Sequence, residues 1–334
     1  MDATTRGRVK QAYLMGLILS LGFALVVPVA QAQEDVVRLG ENLAISNAGI
    51  YIAIEKGYFK AQGIRNEISV FASAGKMVQA LAAGELEVSL GSPSAGLFNA
   101  IAQGAPYRIV ADKGQARTGT GYILLTVRKD LVDSGQVKSV RDLKGKKVAD
   151  FAKGIILSYL LGKMAEEVGL AIKDFDLTYL GAPNQLTAFE TKAIDAAVTV
   201  EPWAARFEER GVAVKFRTPD QVKGLGPVQV AAIMYSGTFI KERRSVAQRW
   251  MNAYLKGAEF YTTKGVQDPE VQAMIEKYTK VPAVVIKTAI PHYQARDGKP
   301  NLESLADQIK WHVANGYMPQ EVPVEKVVDP SFLR

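Results

Sequence analysis

Small polar residues recur wherever an apolar run of this sequence gives way to a helix-like segment, and they are the residues best suited to chemistry. The first turn of a helix presents unpaired backbone N–H groups and the positive end of the helix dipole. Several such turns that converge on one cleft can bind an anion or a polar ligand without any catalytic residue. The six loops are ISNAG (45–49), SAGK (73–76), GSPS (91–94), KGIILS (153–158), GAPNQ (181–185) and VEPW (200–203).

Four of these loop residues, Ser46, Asn47, Ser92 and Ser94, have side chains that can either cap a helix or hydrogen-bond a ligand. Serine and asparagine are favoured N-cap residues, so capping alone is one interpretation of each. Capping and ligand contact are compatible, however, and the recurrence of the pattern at six strand ends favours ligand contact. Lys76, at the end of the second loop, is expected to face solvent rather than a ligand.

An arginine, an acid and an indole add charge and stacking surface to this set. Arg117 could pair with a carboxylate or sulfonate through two parallel N–H donors, or it could bridge two parts of the protein. Glu201, Pro202 and Trp203 place an acid, a rigid ring and an aromatic side chain at one strand end. Trp203 could be a core residue, but this combination favours stacking on a ligand together with hydrogen bonding.

The usual signatures of catalysis are missing from the sequence, and we expect neither an enzyme nor a bound cofactor or metal. Neither of the two histidines, His292 and His312, has a neighbouring nucleophile or metal-ligand spacing. Gly-Lys-Lys at 145–147 lacks the other residues of a phosphate-binding P-loop, and Gly-Thr-Gly at 119–121 lacks the third glycine of a dinucleotide-binding fingerprint.

One repeated unit positions the loops: a short apolar strand, a small or polar loop, and a helix. Three units precede Ala111 and three lie between Lys146 and Gly211. This alternation predicts an α/β fold with mostly parallel sheets, in which ligands bind outside the carboxyl ends of the strands. Polar, glycine-rich passages at 112–122 and 222–229 follow the two groups, and we interpret both as crossings between lobes.

Two groups of units joined by two crossings predict two lobes around a ligand cleft. We place the first lobe at residues 33–120 and 230–334, and the second at residues 121–229. The lobes are expected to open and close about hinges near 114–122 and 224–232.

Residues 1–32 are expected to be a secretory signal peptide that is cleaved after Ala32. A basic start is followed by an apolar stretch, Ala12 to Val27, and by the small-x-small sequence Ala30-Gln31-Ala32. An uncleaved membrane anchor is the alternative, but the apolar stretch is shorter than the ~20 residues that a membrane span needs. We therefore expect a periplasmic protein.

Charge and cysteine content exclude some classes of protein. The formal net charge is +7 for the whole chain and +5 without residues 1–32. Lysines are interspersed with acids rather than clustered, which argues against a nucleic-acid partner. The chain contains no cysteine, so its core must be large enough to be stable without disulfides.

Five motifs occur in order across nearly all of the chain that follows the expected signal peptide: IAIEKGYFKAQGI, ALAAGELEVSLGSPSAGLFNAIAQGAPYRIVA, SVRDLKGKKVA, AIDAAVTVEPWAARFEERG and VVDPSFL. Together they resemble the solute-binding proteins of ABC importers, and in particular the nitrate/sulfonate/taurine and thiamine-pyrimidine-precursor group. The resemblance implies a periplasmic binding protein fold of the two-crossover class, two α/β lobes that clamp a ligand between them.

The family's cleft residues, carried over to this sequence, add three positions to those already considered. The implied ligand-binding set is Ser46, Asn47, Ser73, Ser92, Ser94, Ser158, Asn184, Glu201 and Trp203, with Arg117 as a further candidate. The run DFAKGIILS (150–158) is bulkier and more apolar than the corresponding loop of the family. This departure favours a larger, partly apolar organic acid over nitrate or a small sulfonate.

The resemblance also implies a function: an extracytoplasmic receptor of an ABC transporter. Such a receptor would capture a small organic anion, a sulfonate or carboxylate with or without an aromatic ring, and deliver it to a permease in the inner membrane. We expect it to be a monomer. Three alternatives stay open: a receptor for a pyrimidine or thiamine precursor, a receptor that serves a sensor kinase, and a periplasmic lyase-type enzyme that uses Glu201 and Arg117.

Overall fold

The computed structural model describes residues 34–71 and 74–333. The expected signal peptide and Ser73 therefore lie outside the described residues. Within those two ranges the chain forms two α/β lobes, each built on one five-stranded sheet. No helix in the same ranges is both long enough and apolar enough to span a membrane.

Strands and helices alternate along the chain, as the repeated unit predicts. The strands are β1 (Asp35–Glu41), β2 (Ile64–Val70), β3 (Val88–Leu90), β4 (Arg108–Ala116), β5 (Ile123–Arg128), β6 (Lys147–Asp150), β7 (Asp176–Tyr179), β8 (Ala196–Val200), β9 (Ala213–Arg217) and β10 (Val228–Tyr235). The helices are α1 (Ala48–Glu55), α2 (Ala74–Ala82), α3 (Ala95–Ala102), α4 (Lys129–Asp133), α5 (Ile156–Glu167), α6 (Ala182–Glu190), α7 (Trp203–Glu209), α8 (Gly237–Glu242), α9 (Arg244–Lys264), α10 (Pro269–Thr279), α11 (Ala283–Ile286), α12 (Leu302–Ala314) and α13 (Val324–Val327). Short 3₁₀ turns lie at Ile45–Asn47, Lys60–Gln62, Val140–Leu143, Ile172–Asp174 and Pro219–Gln221.

The two sheets have the same design. The first has the strand order β2-β1-β3-β10-β4 and the second the order β7-β6-β8-β5-β9. In each sheet one strand runs antiparallel to its neighbours: β10 against β3 and β4, and β5 against β8 and β9. Each antiparallel strand is the first strand that the chain forms after it crosses from the other lobe. The predicted α/β fold with mostly parallel sheets is confirmed, with one antiparallel strand in each sheet.

The crossings do not have the bounds that the sequence suggested. Residues 112–116 are not a connection; they complete β4, and every one of them is buried. Likewise β10 already begins at Val228. The crossings that join the sheets are therefore residues 117–122 and 218–227. The prediction for residues 112–116 was wrong because a polar, glycine-rich run was interpreted as a connection, whereas this run is a buried strand of the first lobe.

Helix α9 packs against α1 at a point where the two backbones nearly touch. A Cβ atom on Gly257 would overlap the carbonyl oxygen of Gly49 and would lie 2.9 Å from the Cβ of Ala53. Only glycine leaves room for this approach. The contact matters for the site because α1 begins directly after the loop that carries Ser46 and Asn47.

Candidate functional site: the cleft between the lobes

Two neighbouring cavities lie between the lobes and share three wall residues, Asn42, Phe151 and Val200. We call the deeper one the inner chamber; its volume is about 10 Å³, roughly that of one water molecule. We call the other the outer chamber; its volume is about 270 Å³. The inner chamber is also lined by Ala44, Ser46, Ser92, Lys113, Tyr122, Ile123, Ile155, Leu157, Val230 and Ala231. The outer chamber is also lined by Leu43, Val70, Phe71, Gly181, Ala182, Pro183, Asn184 and Trp203.

The chambers lie where the topology predicts a ligand. Ser46 follows β1 and Ser92 follows β3, and both side chains line the inner chamber. Strands β1 and β3 are parallel, so their carboxyl ends meet at the same edge of the first sheet. This is the edge at which open α/β sheets bind ligands.

The most informative side chain of the inner chamber is Lys113, which sequence analysis missed. It stands near the carboxyl end of β4 and is 1% exposed. Its ammonium Nζ donates to Asn47 Oδ1 at 2.5 Å and to Ser46 Oγ at 3.2 Å. Interpreting residues 112–116 as a strand would have revealed Lys113, because it would then stand near the carboxyl end of a strand that borders the cleft.

A buried carboxylate balances this cation through an intermediate amide. Asn47 Nδ2 donates to Glu41 Oε2 at 2.8 Å, and the Tyr51 hydroxyl donates to the same oxygen at 2.5 Å. Burial raises the pKa of Glu41, while these two donors and the charge of Lys113 lower it. Asn47 therefore links a cation to an anion and is held in place by both.

Burial dominates the electrostatics around Lys113. Loss of hydration lowers its pKa to about 7, and the negative charges of Glu41 and Asp112 oppose that change. His292 is also buried; its pKa is lowered to about 3, first by burial and then by the charge of Lys113. The imidazole stacks on Tyr261 with a centroid separation of 4.3 Å. Burial thus disfavours the charged form of both side chains.

Tyr122, the last residue of the first crossing, also lines the inner chamber. It is 1% exposed, and its hydroxyl lies near Ser46 without forming a hydrogen bond of normal geometry among the described residues. A Cβ on Gly114 would lie 2.9 Å from this oxygen and 3.1 Å from Ser46 Cβ. The absence of a side chain at Gly114 lets the tyrosine approach Ser46 and Lys113.

Direct hydrogen bonds join the lobes on both sides of the chambers. The backbone N–H of Ile45 donates to the Glu201 carbonyl at 2.9 Å, and Trp203 Nε1 donates to the Leu43 carbonyl at 3.1 Å. Across the cleft, the N–H of Ala95 donates to the Gly154 carbonyl at 2.8 Å. The lobes are therefore in a closed arrangement in which Trp203 bridges them directly.

The loop after β6 is organised by a buried acid, Asp150. Its carboxylate accepts from the Ser158 hydroxyl at 2.5 Å and from the Phe151 N–H at 2.6 Å. Ser158 also accepts from the Gly154 N–H at 3.1 Å. Burial raises the pKa of Asp150 to about 7, although these hydrogen bonds lower it. The Ser158 hydroxyl thus holds the loop that presents Phe151 to both chambers.

Glu201 is buried behind the cleft wall and its carboxylate is fully engaged. One oxygen, Oε2, accepts from the Ala205 N–H at 3.0 Å. The other, Oε1, accepts from the Ile290 N–H at 2.9 Å and lies 2.8 Å from Lys215 Nζ. Burial raises the pKa of Glu201, and Lys215 lowers it. In this closed arrangement Glu201 connects the second lobe to the segment before His292.

The remaining predicted residues are divided among three places. Asn184 is exposed at the rim of the outer chamber. Ser94 caps α3 by accepting from the Leu97 N–H at 3.2 Å. The guanidinium of Arg117 lies 3.7 Å from the centroid of the Tyr293 ring, and Arg117 lines a separate depression beside Asp220. The structure thus brings Ser46, Asn47 and Ser92 together around Lys113, and it places Arg117 elsewhere.

Comparison with known proteins agrees with this architecture. The model of a protein family described as NMT1/THI5 like matches residues 44–267. The putative binding protein YtlA of Bacillus subtilis is 22% identical, over 94% of this chain and 96% of its own length.

Solved structures share the fold at low sequence identity. The alkanesulfonate-binding protein SsuA from Xanthomonas axonopodis pv. citri, bound to MOPS, has a TM-score of 0.73 at 19% identity and covers 89% of this chain and 99% of its own. The periplasmic nitrate-binding protein NrtA from Synechocystis PCC 6803 has a TM-score of 0.72 at 15% identity, with 90% and 87% covered. The desulfurization enzyme DSZB has a TM-score of 0.60 at 13% identity, with 90% and 97% covered.

Proposed function

The chain belongs to the NMT1/THI5-like family, and we propose that it is an extracytoplasmic solute-binding receptor of an ABC importer. It captures a small organic anion, a sulfonate or a carboxylate, between its two lobes and delivers it to a membrane permease. The observation that carries the proposal is the position of Lys113: a buried cation at the strand ends of one lobe, in a cleft that the other lobe closes.

The architecture supports a clamp mechanism. Both chambers have walls from both lobes, so a ligand in either one touches both. A ligand that contacts both lobes binds the closed form better and shifts the population towards it. The lobes, proposed at residues 33–120 plus 230–334 and at 121–229, would turn about the two short crossings. The closed form then offers the permease a surface that the open form lacks.

The proposal is binding without catalysis. The fold is also found in an enzyme, DSZB, so the absence of catalysis has to be argued from the site. A lyase that used Glu201 and Arg117 would need both at the ligand. The Glu201 carboxylate is occupied by Lys215 and two backbone N–H groups, and Arg117 lies on Tyr293. Incubation of the protein with a bound ligand, followed by chromatography, tests this point, because any conversion of the ligand would contradict a pure receptor.

A thermal-shift screen tests the receptor function itself. The purified protein is first freed of carried-over ligand by partial unfolding and refolding. The panel holds aryl and alkyl sulfonates, aromatic and aliphatic carboxylates, nitrate and pyrimidines. A ligand at ~100 times its dissociation constant should stabilise the protein by about 2.7 kcal/mol. Absence of any shift across all these classes would contradict the receptor function.

The proposal extends to the cell compartment and the partner. An exported protein with one ligand cleft would act as a monomer in the periplasm and meet its permease at the inner membrane. Detection of the protein in a periplasmic extract, with an N-terminus at Gln33, would support export and cleavage after Ala32. Retention of the protein in the cytoplasm would contradict the proposal.

A further inference from the structure

We propose that Lys113 is the residue that selects the ligand, and that the ligand is a singly charged organic acid bound head first. Its carboxylate or sulfonate contacts Lys113, and its apolar body occupies the outer chamber. The inner chamber, about 10 Å³ in this closed arrangement, must widen when the head group binds. The inference rests on the proposed receptor function and deepens it by naming the charge, the polarity and the orientation of the ligand.

The ammonium group of Lys113 has one hydrogen-bond donor that the protein does not use. A lysine ammonium has three N–H donors and no acceptor. Two of these donors are used, by Ser46 Oγ and Asn47 Oδ1, and both acceptors are neutral. No carboxylate within the described ranges forms an ion pair with Lys113 at 4.0 Å or less. One donor of a fully buried cation is thus left for an anion in the chamber that Lys113 lines.

Neutral donors around Lys113 complete a head-group site. The hydroxyls of Ser46, Ser92 and Tyr122 belong to side chains of the same chamber. The hydroxyl of Tyr122 is buried near Ser46, and in the part of the chain that the structure describes it has no hydrogen bond of normal geometry. Hydrogen bonds to an ionised group are shorter and stronger than neutral ones. A carboxylate or sulfonate would supply acceptors to these hydroxyls and to Lys113 together.

The surrounding charges limit the ligand to one negative charge. Glu41 reaches Lys113 through Asn47, and Asp112 precedes Lys113 on the same strand; both affect the pKa of the lysine as negative charges. Neither carboxylate lines the inner chamber, but both lie close enough to Lys113 to act on its charge, so they would repel a second anionic group near the head with no second cation to offset them. Like charges in a poorly hydrated site repel strongly. Dianions are therefore expected to bind more weakly than monoanions.

The outer chamber is suited to an apolar ligand body. Its walls include Leu43, Phe71, Phe151, Pro183 and Trp203, and no charged side chain lines it among the described residues. Its volume of about 270 Å³ is close to the lower end of small-molecule pockets, which begin at ~300 Å³. An inorganic anion such as nitrate would leave these apolar walls without a contact. An aromatic ring or a branched hydrocarbon would fill the space and stack on Trp203.

The experiment compares probes that differ in one property at a time. Isothermal titration of the purified protein uses benzoate, benzenesulfonate, benzamide, terephthalate and nitrate. Benzamide is the neutral counterpart of benzoate. Terephthalate adds a second carboxylate at the opposite end of the ring, where it would lie against the uncharged walls of the outer chamber. We expect benzoate or benzenesulfonate to bind at least ~10-fold more tightly than the other three. This comparison on the unaltered protein requires no variant to fold.

Variants then assign the selectivity to Lys113. Lys113→Met removes the charge and keeps the length of the side chain, and Lys60→Met is the surface control, since Lys60 is exposed. We expect Lys113→Met to lose at least ~10-fold in affinity for the monoanions and little for benzamide, while Lys60→Met binds like the unaltered protein. Equal monoanion binding by all three proteins would overturn the role of Lys113 and leave the receptor function intact. Tighter binding of nitrate, terephthalate or benzamide than of the monoanions, or no binding by any of the five probes, would overturn the ligand assignment. The wider thermal-shift screen decides the receptor function separately.

Discussion

The ammonium of Lys113 lies 2.5 Å from the side-chain oxygen of Asn47, in the wall of a chamber that is closed from both lobes. Asn47 in turn donates to Glu41. A buried lysine is thus held by a neutral amide rather than by a direct ion pair. This arrangement keeps the cation in the structure while leaving its charge available to a ligand.

Affinity for a monoanion should fall as the pH rises above about 7, the value to which burial lowers the pKa of Lys113. The ligand binds the protonated form, so above this pH each unit reduces the affinity by up to ~10-fold, and binding takes up a proton. The ionisable groups near Lys113 are Glu41, Asp112, His292 and Tyr122. Titration of benzenesulfonate in two buffers with different ionisation enthalpies measures the proton uptake. Constant affinity from pH 6 to 9 would contradict the prediction.

Replacement of Trp203 by alanine should weaken ligand binding several-fold without unfolding the protein. The change removes a wall of the outer chamber and the hydrogen bond from Nε1 to the Leu43 carbonyl, which joins the lobes. Trp203→Phe keeps a ring but not the donor, so it separates stacking from lobe contact. Titration with the best ligand of the screen gives the affinities, and circular dichroism checks the fold. Unchanged affinity of the alanine variant would remove Trp203 from the site.

Asp150→Asn should flatten the pH dependence of stability between about pH 4 and 7. Burial raises the pKa of Asp150 to about 7 in the folded protein, against an unfolded value of ~3.9. The folded state therefore holds a proton that the unfolded state releases in this range, and its stability declines as the pH rises by up to ~1.4 kcal/mol per unit. Above about pH 7 this contribution is fully lost and stays constant.

Urea unfolding at several pH values measures the effect of Asp150→Asn. The free energy of unfolding of the variant, relative to that of the unaltered protein, should increase from pH 4 to 7 and then level off. Ser158→Ala is the matched variant, because it keeps the carboxyl group and removes only one donor to it; it should retain the pH dependence. Parallel curves for Asp150→Asn and the unaltered protein would show that Asp150 does not titrate in this range.

Gly257→Ala should destabilise the protein by roughly 1–3 kcal/mol, the usual range for overpacking in a core. The added methyl group would overlap the Gly49 carbonyl oxygen and separate α9 from α1. The control is Gly96→Ala on α3, where a Cβ would have only one neighbour, at 4.0 Å. Thermal unfolding of the two variants should give a clear loss for the first and little change for the second. Equal melting temperatures would contradict the close helix contact.

The repeated order of apolar strand, loop and helix predicted the fold well, because each unit has a recognisable pattern of apolar residues. The same units predicted that Ser46 and Ser92 follow parallel strands, and the structure places both in the wall of the inner chamber. Lys113 was not predicted because the sequence of a polar, glycine-containing run does not show whether the run is exposed or buried. Here it is buried among side chains that form hydrogen bonds with it. Whether a side chain such as Glu201 turns to the ligand or to Lys215 depends on contacts distant in sequence. One sequence does not specify those contacts.

The double crossing of the chain between the lobes has a consequence for how the protein is made. Strand β4 has β10 as its partner in the first sheet, and β10 also closes the edge of β3. Residues 228–235 follow more than a hundred residues after β4 in the chain. The lobe that begins at the N-terminus is consequently completed only after the other lobe has been synthesised. A chain that stops at residue 227 would expose the edges of β3 and β4, and with them the strand that carries Lys113.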